Sequence, residues 1–492
     1  MRLVAAIPRE LSDRIARIIR PRSPSSLRIS SPMRSPLSLR RLLALAFAAT
    51  VAAFTSHAAQ ATNVGRVFPS EKRTYTDAVT GLTVNVLTTD PATDAKPYQT
   101  HTTWTADGEW IIFRSNRGNN GSQAFLVHER DGTIVQLTDG PGTGTGSLNL
   151  SRKAMKLYFT RTLAPTNATP SDSSTHPPRQ LIELDLAKLL PDALARRVTN
   201  PASYERVVCD LPTDLRDSGG MALDADESCL YWGVAFGPPP PRPAPTHANR
   251  TADGRSQVDA ANTNPAEQRA AARARFAAAG KGPGGIRKID IATGAISKVI
   301  DVDLRMGHVQ TNPWVPGEII YCHETTGDAP QRMWTVRGDG TGNRPLYVES
   351  EDEWVTHETV SGPDEVMFNI MGHLPYLRER PTGVAVVNLR TNSMKILGQM
   401  EEEMPNGTQG GFWHCNGSPD GRWAVADNFS GTVTLIDRRD GRQRVLTTDH
   451  KMKPDHTHPI FSPDSKRVLI QSGHLSDGQN LDLMTIEIPS DW

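Results

Sequence analysis

Histidines recur at one position relative to a repeated turn in this sequence, and imidazole both binds transition metals and transfers protons. Seven segments begin with a polar turn and continue as a short apolar strand, and five of the seven carry His four residues before the turn. In chain order, these positions are His101, Ser147, Gly220, His308, His357, His414 and His458. The 492 residues include only 14 His, so composition alone does not produce this register. The pattern indicates a metal site, a proton-transfer site or both.

A second histidine adds to this pattern, because His456-Thr457-His458 places two imidazoles two residues apart. Side chains at i and i+2 of a regular strand point to the same face, so both are predicted to reach one ion. Neutral imidazole suits Mn, Fe, Ni, Zn or Cu, whereas Ca and Mg prefer carboxylate and carbonyl oxygens. The alternative for any single histidine is a strand-end residue that hydrogen-bonds to a neighbouring blade.

The repeated turn-and-strand segments predict the elements that position these histidines. The copies begin at Thr105, Ser151, Asp224, Asn312, Ser361, Ser418 and Ser462. Their spacing, from about 44 residues upward, leaves room for four antiparallel strands in each repeat. Seven such repeats predict an all-β fold, a seven-bladed β-propeller. The innermost strand of each blade lines the central channel, so equivalent positions are expected to form a ring around it.

The two ends of the repeat region are expected to meet in one blade. The last copy, from Ser462 onward, has room for only about three strands, and a strand-like run from Leu82 to Leu87 precedes the first copy. An N-terminal strand that completes the last blade closes the ring and removes its free sheet edges. We therefore expect one propeller domain over residues 62–492.

One stretch, residues 237–285, does not fit the repeat. It begins with Pro238–Pro241 and continues through an Ala/Arg-rich run from Ala266 to Ala279, and it lengthens the gap between the third and fourth copies. This composition predicts an inserted surface loop with one short helix, with a lid over the channel as the alternative.

Residues 1–61 have the features of a targeting segment. Arg40 and Arg41 precede an apolar run from Leu42 to Phe54, and small residues follow around Ala59. This order of charged, apolar and small residues is typical of a secretory signal peptide, and the run is too short to span a bilayer. We therefore expect a periplasmic or secreted protein with no membrane span.

Charge and cysteine content exclude several classes of protein. The 54 Lys and Arg balance 54 Asp and Glu, so no general field attracts nucleic acid or an anionic membrane. The four Cys include no CxxC pair, which excludes a cysteine zinc ribbon and a thioredoxin-type redox site.

Short motifs around the histidines carry a more specific signal. In chain order they read Gly307-His308-Val309-Gln310, Cys322-His323-Glu324, Gln331-Arg332-Met333-Trp334, Thr356-His357-Glu358 and His456-Thr457-His458-Pro459. In this ordered set the sequence resembles the oligogalacturonate lyase family. The resemblance implies a seven-bladed propeller that cleaves short, pectin-derived galacturonides by β-elimination and uses a manganese-type divalent ion.

The resemblance also implies roles for individual residues. The metal ligands correspond to His357, His456 and His458, and His308 corresponds to the base that removes the proton at C5 of the uronate. An arginine is expected near the leaving oxygen, and Arg287 is the candidate. Residues implied to bind the acidic oligosaccharide are Arg332, Gln331 and His323, and Lys453, which departs from the family pattern, is a further candidate for contact with a substrate carboxylate. For Arg332 the alternative is a structural ion pair between blades.

Lys453 marks a departure from the family pattern. Three residues before the first histidine of the His-x-His pair the family has Gln, and this sequence has Lys453. An ammonium is a poor metal ligand, so the fourth ligand and the substrate are both open to change.

Two other functions compete with a lyase. A non-catalytic propeller of the same superfamily, which binds sugar or protein and keeps the metal, is the first alternative. A hydrolase of the prolyl-oligopeptidase type needs an α/β-hydrolase domain with a GxSxG elbow. A chain that ends at Trp492 within the last predicted blade is not expected to have room for that domain.

Overall fold

Seven antiparallel sheets form the protein in a computed structural model, five of them with four strands and two with five. The structure describes residues 62–89, 91–118, 121–163, 177–237, 265–325, 331–350, 353–370, 383–400 and 411–492. The predicted leader, 1–61, and most of the predicted insertion, 238–264, lie outside these residues. The prediction of an all-β, seven-bladed propeller is confirmed.

Each blade is a sheet whose innermost strand faces the channel, and the strands below are given from the channel outward. Blade one contains β4 (Asp94–Ala95), β5 (Trp110–Ser115), β6 (Gln123–His128), β7 (Ile134–Gln136) and β1 (Val67–Phe68). Blade two contains β8 (Thr143–Leu150), β9 (Lys156–Thr162), β10 (Arg179–Asp185) and β11 (Glu205–Leu211). Blade three contains β12 (Leu215–Leu223), β13 (Cys229–Phe236), β14 (Gly284–Asp290) and β15 (Ile296–Val302).

The remaining four blades follow the same order. Blade four contains β16 (Met306–Thr311), β17 (Glu318–His323), β18 (Met333–Arg337) and β19 (Arg344–Pro345). Blade five contains β20 (Val355–Gly362), β21 (Glu365–Ile370), β22 (Gly383–Asn388) and β23 (Met394–Gly398). Blade six contains β24 (Phe412–Gly417), β25 (Trp423–Asn428), β26 (Val433–Asp437) and β27 (Gln443–Thr447). Blade seven contains β28 (Ile460–Phe461), β29 (Arg467–Ser472), β30 (Asp482–Glu487), β3 (Thr83–Val86) and β2 (Arg73–Thr76).

The predicted closure by an N-terminal strand is confirmed in blade seven. β3 pairs with β30, so Val84 lies opposite Ile486 and Val86 opposite Met484. Both valines are fully buried. The edge of the last blade is therefore covered by strands from the start of the chain, which is the function that closure serves.

Apolar side chains fill the space between neighbouring blades. Seven separate clusters of buried residues lie one at each junction, including the junction of blades seven and one. Alternate side chains of a strand point to the two faces of its sheet, so every blade contributes to two clusters. The packing is consequently a ring of seven interfaces rather than one central core, and the axis is left to polar side chains.

Helical segments are short and lie outside the sheets. Helix α1 (Leu186–Leu194) follows β10, and helix α2 (Pro265–Ala279) lies between β13 and β14, within the predicted insertion. Within the described ranges, 3₁₀ turns cover Pro201–Tyr204 and His474–Ser476. No helix of the described residues is long and apolar enough to cross a membrane.

Asp77, in the turn between β2 and β3, ties the closing strands to blade six. Its carboxylate accepts backbone hydrogen bonds from Thr80 at 2.8 Å and Thr448 at 2.7 Å, and one from the Thr447 hydroxyl at 2.9 Å. Burial opposes ionisation, but these hydrogen bonds outweigh it and lower the pKa of Asp77 from 3.8 to about 2.

We expect Asp77→Ala to lower the free energy of unfolding by about 2 kcal/mol at neutral pH, because buried donors lose their acceptor. The contribution is fully present above pH 3.8 and is lost as the pH falls through about 2. Denaturant unfolding of wild type and variant at several pH values measures both effects. Asp440→Ala is the control, since that carboxylate bonds to Arg442 within its own exposed turn. An equal effect of both substitutions at every pH contradicts a stabilising role for the ionised Asp77 carboxylate.

Candidate active site

Breaks in strand register place the predicted histidine positions at the channel. The pairing of β16 is interrupted at His308 and that of β20 at His357, and these residues have positive φ angles of 44° and 55°. His458 has a φ of 45°, and Gly220, at the equivalent position of β12, has a φ of 85°. A bulge turns a side chain away from the direction that regular alternation gives it. These positions therefore share a positive φ angle, a backbone conformation that is energetically unfavourable for residues other than glycine.

Four of the five predicted ring histidines form an arc of ring contacts across blades four to seven. Ring centroids are 6.3 Å apart for His308 and His357, 4.2 Å for His357 and His414, and 3.8 Å for His414 and His458. His456 lies 5.3 Å from His414. We call these five residues the histidine cluster.

The fifth predicted ring position, His101, is outside the histidine cluster. Its Nε2 lies 2.8 Å from the carbonyl oxygen of Met221 in blade three, and its Nδ1 lies 2.9 Å from the Thr100 hydroxyl. Both ring nitrogens therefore have partners within the protein. His101 corresponds to the alternative of a histidine that bonds to another blade.

His308 is held against a buried ion pair. Its Nδ1 is 3.1 Å from Glu358 Oε1, and the other Glu358 oxygen accepts a hydrogen bond from Arg332 Nε at 3.2 Å. Glu358 is fully buried, and Arg332 Nη2 is 3.5 Å from the same His308 nitrogen. A carboxylate opposite Nδ1 favours the tautomer that carries its proton there, which leaves Nε2 as the basic nitrogen.

The ionised state of Glu358 is stabilised by its neighbours. Burial alone raises the pKa of a carboxyl group, but Arg332 and His308 outweigh this effect and bring the pKa of Glu358 to about 2. Glu358 is consequently a carboxylate at neutral pH. His308 therefore faces a full negative charge, and that charge has little contact with water.

His357 and His414 are oriented in the same way as His308. His357 Nδ1 lies against the carbonyl oxygen of Trp413, and His414 Nδ1 is 3.2 Å from each carboxylate oxygen of Asp427. Each acceptor holds a proton on Nδ1 and leaves Nε2 free to bind an ion. Burial and nearby positive groups hold the pKa of both histidines well below the ordinary value. Both rings are therefore neutral at pH 7, the state that binds metal.

Donor atoms from blades six and seven converge at one point. One ligand atom each from His414, Asp427 and His456 lies within 4.8 Å of the others. His456 Nδ1 is buried without a hydrogen-bond partner, and such a group is unfavourable unless an ion or a water satisfies it. His458 is already engaged, since Nδ1 is 3.0 Å from Gln99 Oε1 and Nε2 is 3.2 Å from Asp455 Oδ1.

The expectation that His456 and His458 project from a regular strand was wrong. β28 begins only at Ile460, and the two rings are 6.5 Å apart and inclined by 75°. His458 has a left-handed backbone, so alternation along a strand does not apply to it. Both residues still lie in the histidine cluster, but they approach it from different directions.

The predicted catalytic arginine and one predicted substrate-binding residue have structural partners. Arg287, expected near the leaving oxygen, lies on β14 and donates from Nη1 to Asp301 on the outermost strand of its blade at 2.7 Å. The structure does not bring it to His308, because it is two strands away from the channel. His323 is buried, with Nε2 2.8 Å from the carbonyl oxygen of Gly280, just after helix α2.

Gln331, Arg332 and Lys453 occupy three different environments. The Gln331 amide donates to the carbonyl oxygens of Met333 and Tyr347 and accepts from the backbone of Glu349, so it supports the local chain. Arg332 forms the predicted alternative, an ion pair between blades, and also lies beside His308. Lys453 is exposed.

Sequence reasoning missed Glu358, Asp427 and Tyr98. Glu358 directly follows a predicted ligand, and the motif Thr356-His357-Glu358 was the available signal. Asp427 lies at the far end of β25, where no repeated motif marks it. The Tyr98 ring lies 4.9 Å from His308 and 5.2 Å from His458, and its buried hydroxyl has no hydrogen-bond partner.

Comparison with characterised proteins bears on both fold and site. No family model matches the chain. It is 22% identical over 427 residues to an oligogalacturonide lyase of Pectobacterium atrosepticum, a match that covers 83% of this chain and 94% of that protein. A shorter match, 24% identical over 206 residues, covers 38% of this chain and 51% of an oligogalacturonate lyase of Dickeya dadantii. The resemblance predicted from the motifs is confirmed.

Two solved structures are similar over almost their whole length. An oligogalacturonate lyase in complex with manganese superimposes with a TM-score of 0.63 and 19% identity, over 87% of this chain and 99% of that one. An oligogalacturonate lyase from Vibrio parahaemolyticus gives a TM-score of 0.64 and 17% identity, over 87% of this chain and 100% of that one. At these identities the superpositions establish the fold.

Glu358 offers a test of the site's electrostatics. We expect Glu358→Ala to lower the free energy of unfolding by about 3–5 kcal/mol, because Arg332 is left as a buried charge without its main partner. Glu358→Gln keeps the shape and one acceptor, so its loss is expected to be smaller. Thermal and denaturant unfolding of both variants measure the difference. Equal, small losses in the two variants contradict a buried ion pair.

Proposed function

We propose that this protein cleaves short oligogalacturonides by β-elimination. The observation that carries the proposal is the pairing of His308 Nδ1 with the buried Glu358 carboxylate at the edge of the histidine cluster. Elimination from a uronate requires a base that removes the proton at C5, and a histidine whose other nitrogen is held by a carboxylate is suited to that step. Similarity over 94% of an oligogalacturonide lyase supports the choice of substrate.

His308 takes the C5 proton on Nε2 in this proposal, the electron pair left at C5 forms the C4–C5 double bond as the C4–O bond breaks, and the leaving oxygen takes a proton from water. Glu358 keeps the Nδ1 proton in place and stabilises the positive charge that His308 acquires. The His308 side chain is about one quarter exposed, at 23%, whereas Glu358 is fully buried. The base is therefore accessible to a sugar while the group that orients it is protected from water.

The residues of the histidine cluster fit a divalent transition metal such as Mn²⁺. His456 has a buried nitrogen without a partner, and the free nitrogens of His357 and His414 belong to neutral rings. His357, His456 and His458 are the ligands that the resemblance implies, and the convergence of donors adds His414 and Asp427 as candidates. A divalent ion held by these residues would supply Lewis-acid chemistry toward the uronate carboxylate.

Export is part of the proposal and rests on the predicted leader over residues 1–61 and its small residues near Ala59. A periplasmic or secreted enzyme would meet pectin fragments outside the cytoplasm. Active protein found in the cytoplasm with its leader uncleaved would count against export.

The activity test uses digalacturonate and trigalacturonate, with absorbance near 235 nm as a measure of the unsaturated product. We expect His308→Ala to abolish turnover, and Glu358→Gln to lower kcat by about 100-fold or more with KM little changed, because the base loses its orientation. His128→Ala, which lies at the outer end of β6, is the matched control. Wild-type protein that binds the sugars but forms no product supports the alternative of a non-catalytic module.

Metal removal gives a separate test. We expect chelated protein to lose activity and to regain it with Mn²⁺, and His456→Ala to weaken Mn²⁺ binding at least about tenfold in equilibrium dialysis. Lys453→Gln is the comparison variant. Because Lys453 is exposed, the Mn²⁺ affinity of this variant is expected to stay within about threefold of wild type. Full Mn²⁺ affinity in His456→Ala contradicts this ligand assignment.

A further inference from the structure

A small cavity beside the histidine cluster contains two basic side chains that the proposed reaction does not use. Its volume is about 170 Å³, and it lies at the junction of blades seven, one and two. Its lining includes Lys96, Tyr98, Arg114, Thr145, Asp455 and His458. A pocket with converging charged groups next to a candidate active site is a candidate binding site for part of the substrate.

Lys96 is the most unusual of these residues. It follows β4 directly and is 2% exposed, which is rare for lysine unless it is paired. Its Nζ makes one long hydrogen bond, 3.4 Å, to the carbonyl oxygen of Pro97, and no ion pair of the described residues includes it. An ammonium has three hydrogens to donate, so this group lacks most of its partners. Burial lowers the pKa of Lys96 to about 7, against the opposing effects of Asp455 and Asp427.

Arg114 lines the same cavity from β5, and no ion pair of the described residues includes it either. Asp455, the acidic side chain of the cavity, is already engaged. Its oxygens lie 3.2 Å from His458 Nε2 and 3.1 Å from the amide nitrogen of Gln471. Lys96 and Arg114 have no ion-pair partner among the described residues, and a guanidinium beside a lysine amine, which a bound carboxylate keeps protonated, is suited to a carboxylate.

The position of the cavity relates it to the reacting group. Tyr98 lines the cavity, and the same ring lies 4.9 Å from His308. One aromatic side chain thus separates the candidate base from the cationic cavity. An oligogalacturonide carries one carboxylate on every sugar, so a chain with one unit at His308 has its next carboxylate one sugar away.

We propose that Lys96 and Arg114 bind the carboxylate of the galacturonate unit next to the one that reacts. The inference rests on the proposed function for the identity of the ligand. It makes this cavity a determinant of substrate length and charge, since a lone uronate has no second carboxylate to place there.

The test measures binding of trigalacturonate by calorimetry to Mn²⁺-loaded His308→Ala protein, so that turnover does not interfere. Adding Lys96→Met, which keeps the length of the side chain and removes its charge, is expected to raise Kd by about tenfold or more. Lys395→Met is the matched control, because Lys395 is exposed on β23. A methyl-esterified trigalacturonate is expected to bind weakly to protein that retains Lys96 and to be insensitive to Lys96→Met.

Each outcome decides the inference. Equal affinity for trigalacturonate with and without the Lys96→Met substitution overturns it, as does an equal loss for the acid and the ester. Arg114→Gln repeats the test should the Lys96 variant fail to fold. Binding that depends on Lys96, together with wild-type protein that releases no unsaturated product, overturns the proposed lyase activity and leaves the carboxylate site intact. Absence of any binding to wild type overturns both.

Discussion

The buried carboxylate of Glu358 connects the packing of the propeller to its chemistry. It joins a residue of blade four, Arg332, to the inner strand of blade five and at the same time faces His308. A charge in this position is tolerable only while its partners stay in place, because an unpaired buried carboxylate is costly. The junction of blades four and five is therefore fixed by the same contacts that orient the candidate base. A change that weakens this junction therefore also disturbs the orientation of His308.

Loss of register in the inner strands also links the fold to the site. Inner strands of a propeller are short and regular where they meet their turns, yet those of blades two to six each lose register along their length. Three histidines of the cluster take left-handed backbone angles, which side chains with a Cβ adopt only when the surrounding structure requires it. The propeller supplies that requirement, since each inner strand is held on one side by its own sheet and packed against its neighbours.

The sequence was sufficient to predict the large-scale architecture, because turns and alternating apolar residues repeat along it. It also located the histidines, since their distance from each turn is constant. It failed for groups that depend on geometry between blades. Arg287 has the residue type expected near the leaving oxygen, but its strand lies away from the channel and its guanidinium pairs with Asp301. Asp427 and Tyr98 reach the histidine cluster through tertiary packing, and residue spacing along the chain does not predict these contacts.

The closing blade has a consequence for how the protein is made. Val84 pairs with Ile486, so strands from opposite ends of the chain must meet before the last sheet exists. During synthesis, β2 and β3 can pair with each other, but β3 has to wait for β30 until nearly every other strand has been produced, and contacts so distant along the chain form slowly. The ring therefore cannot close before its C-terminal strands arrive. The seam in blade seven thus sets the timing of folding as well as the shape of the folded ring.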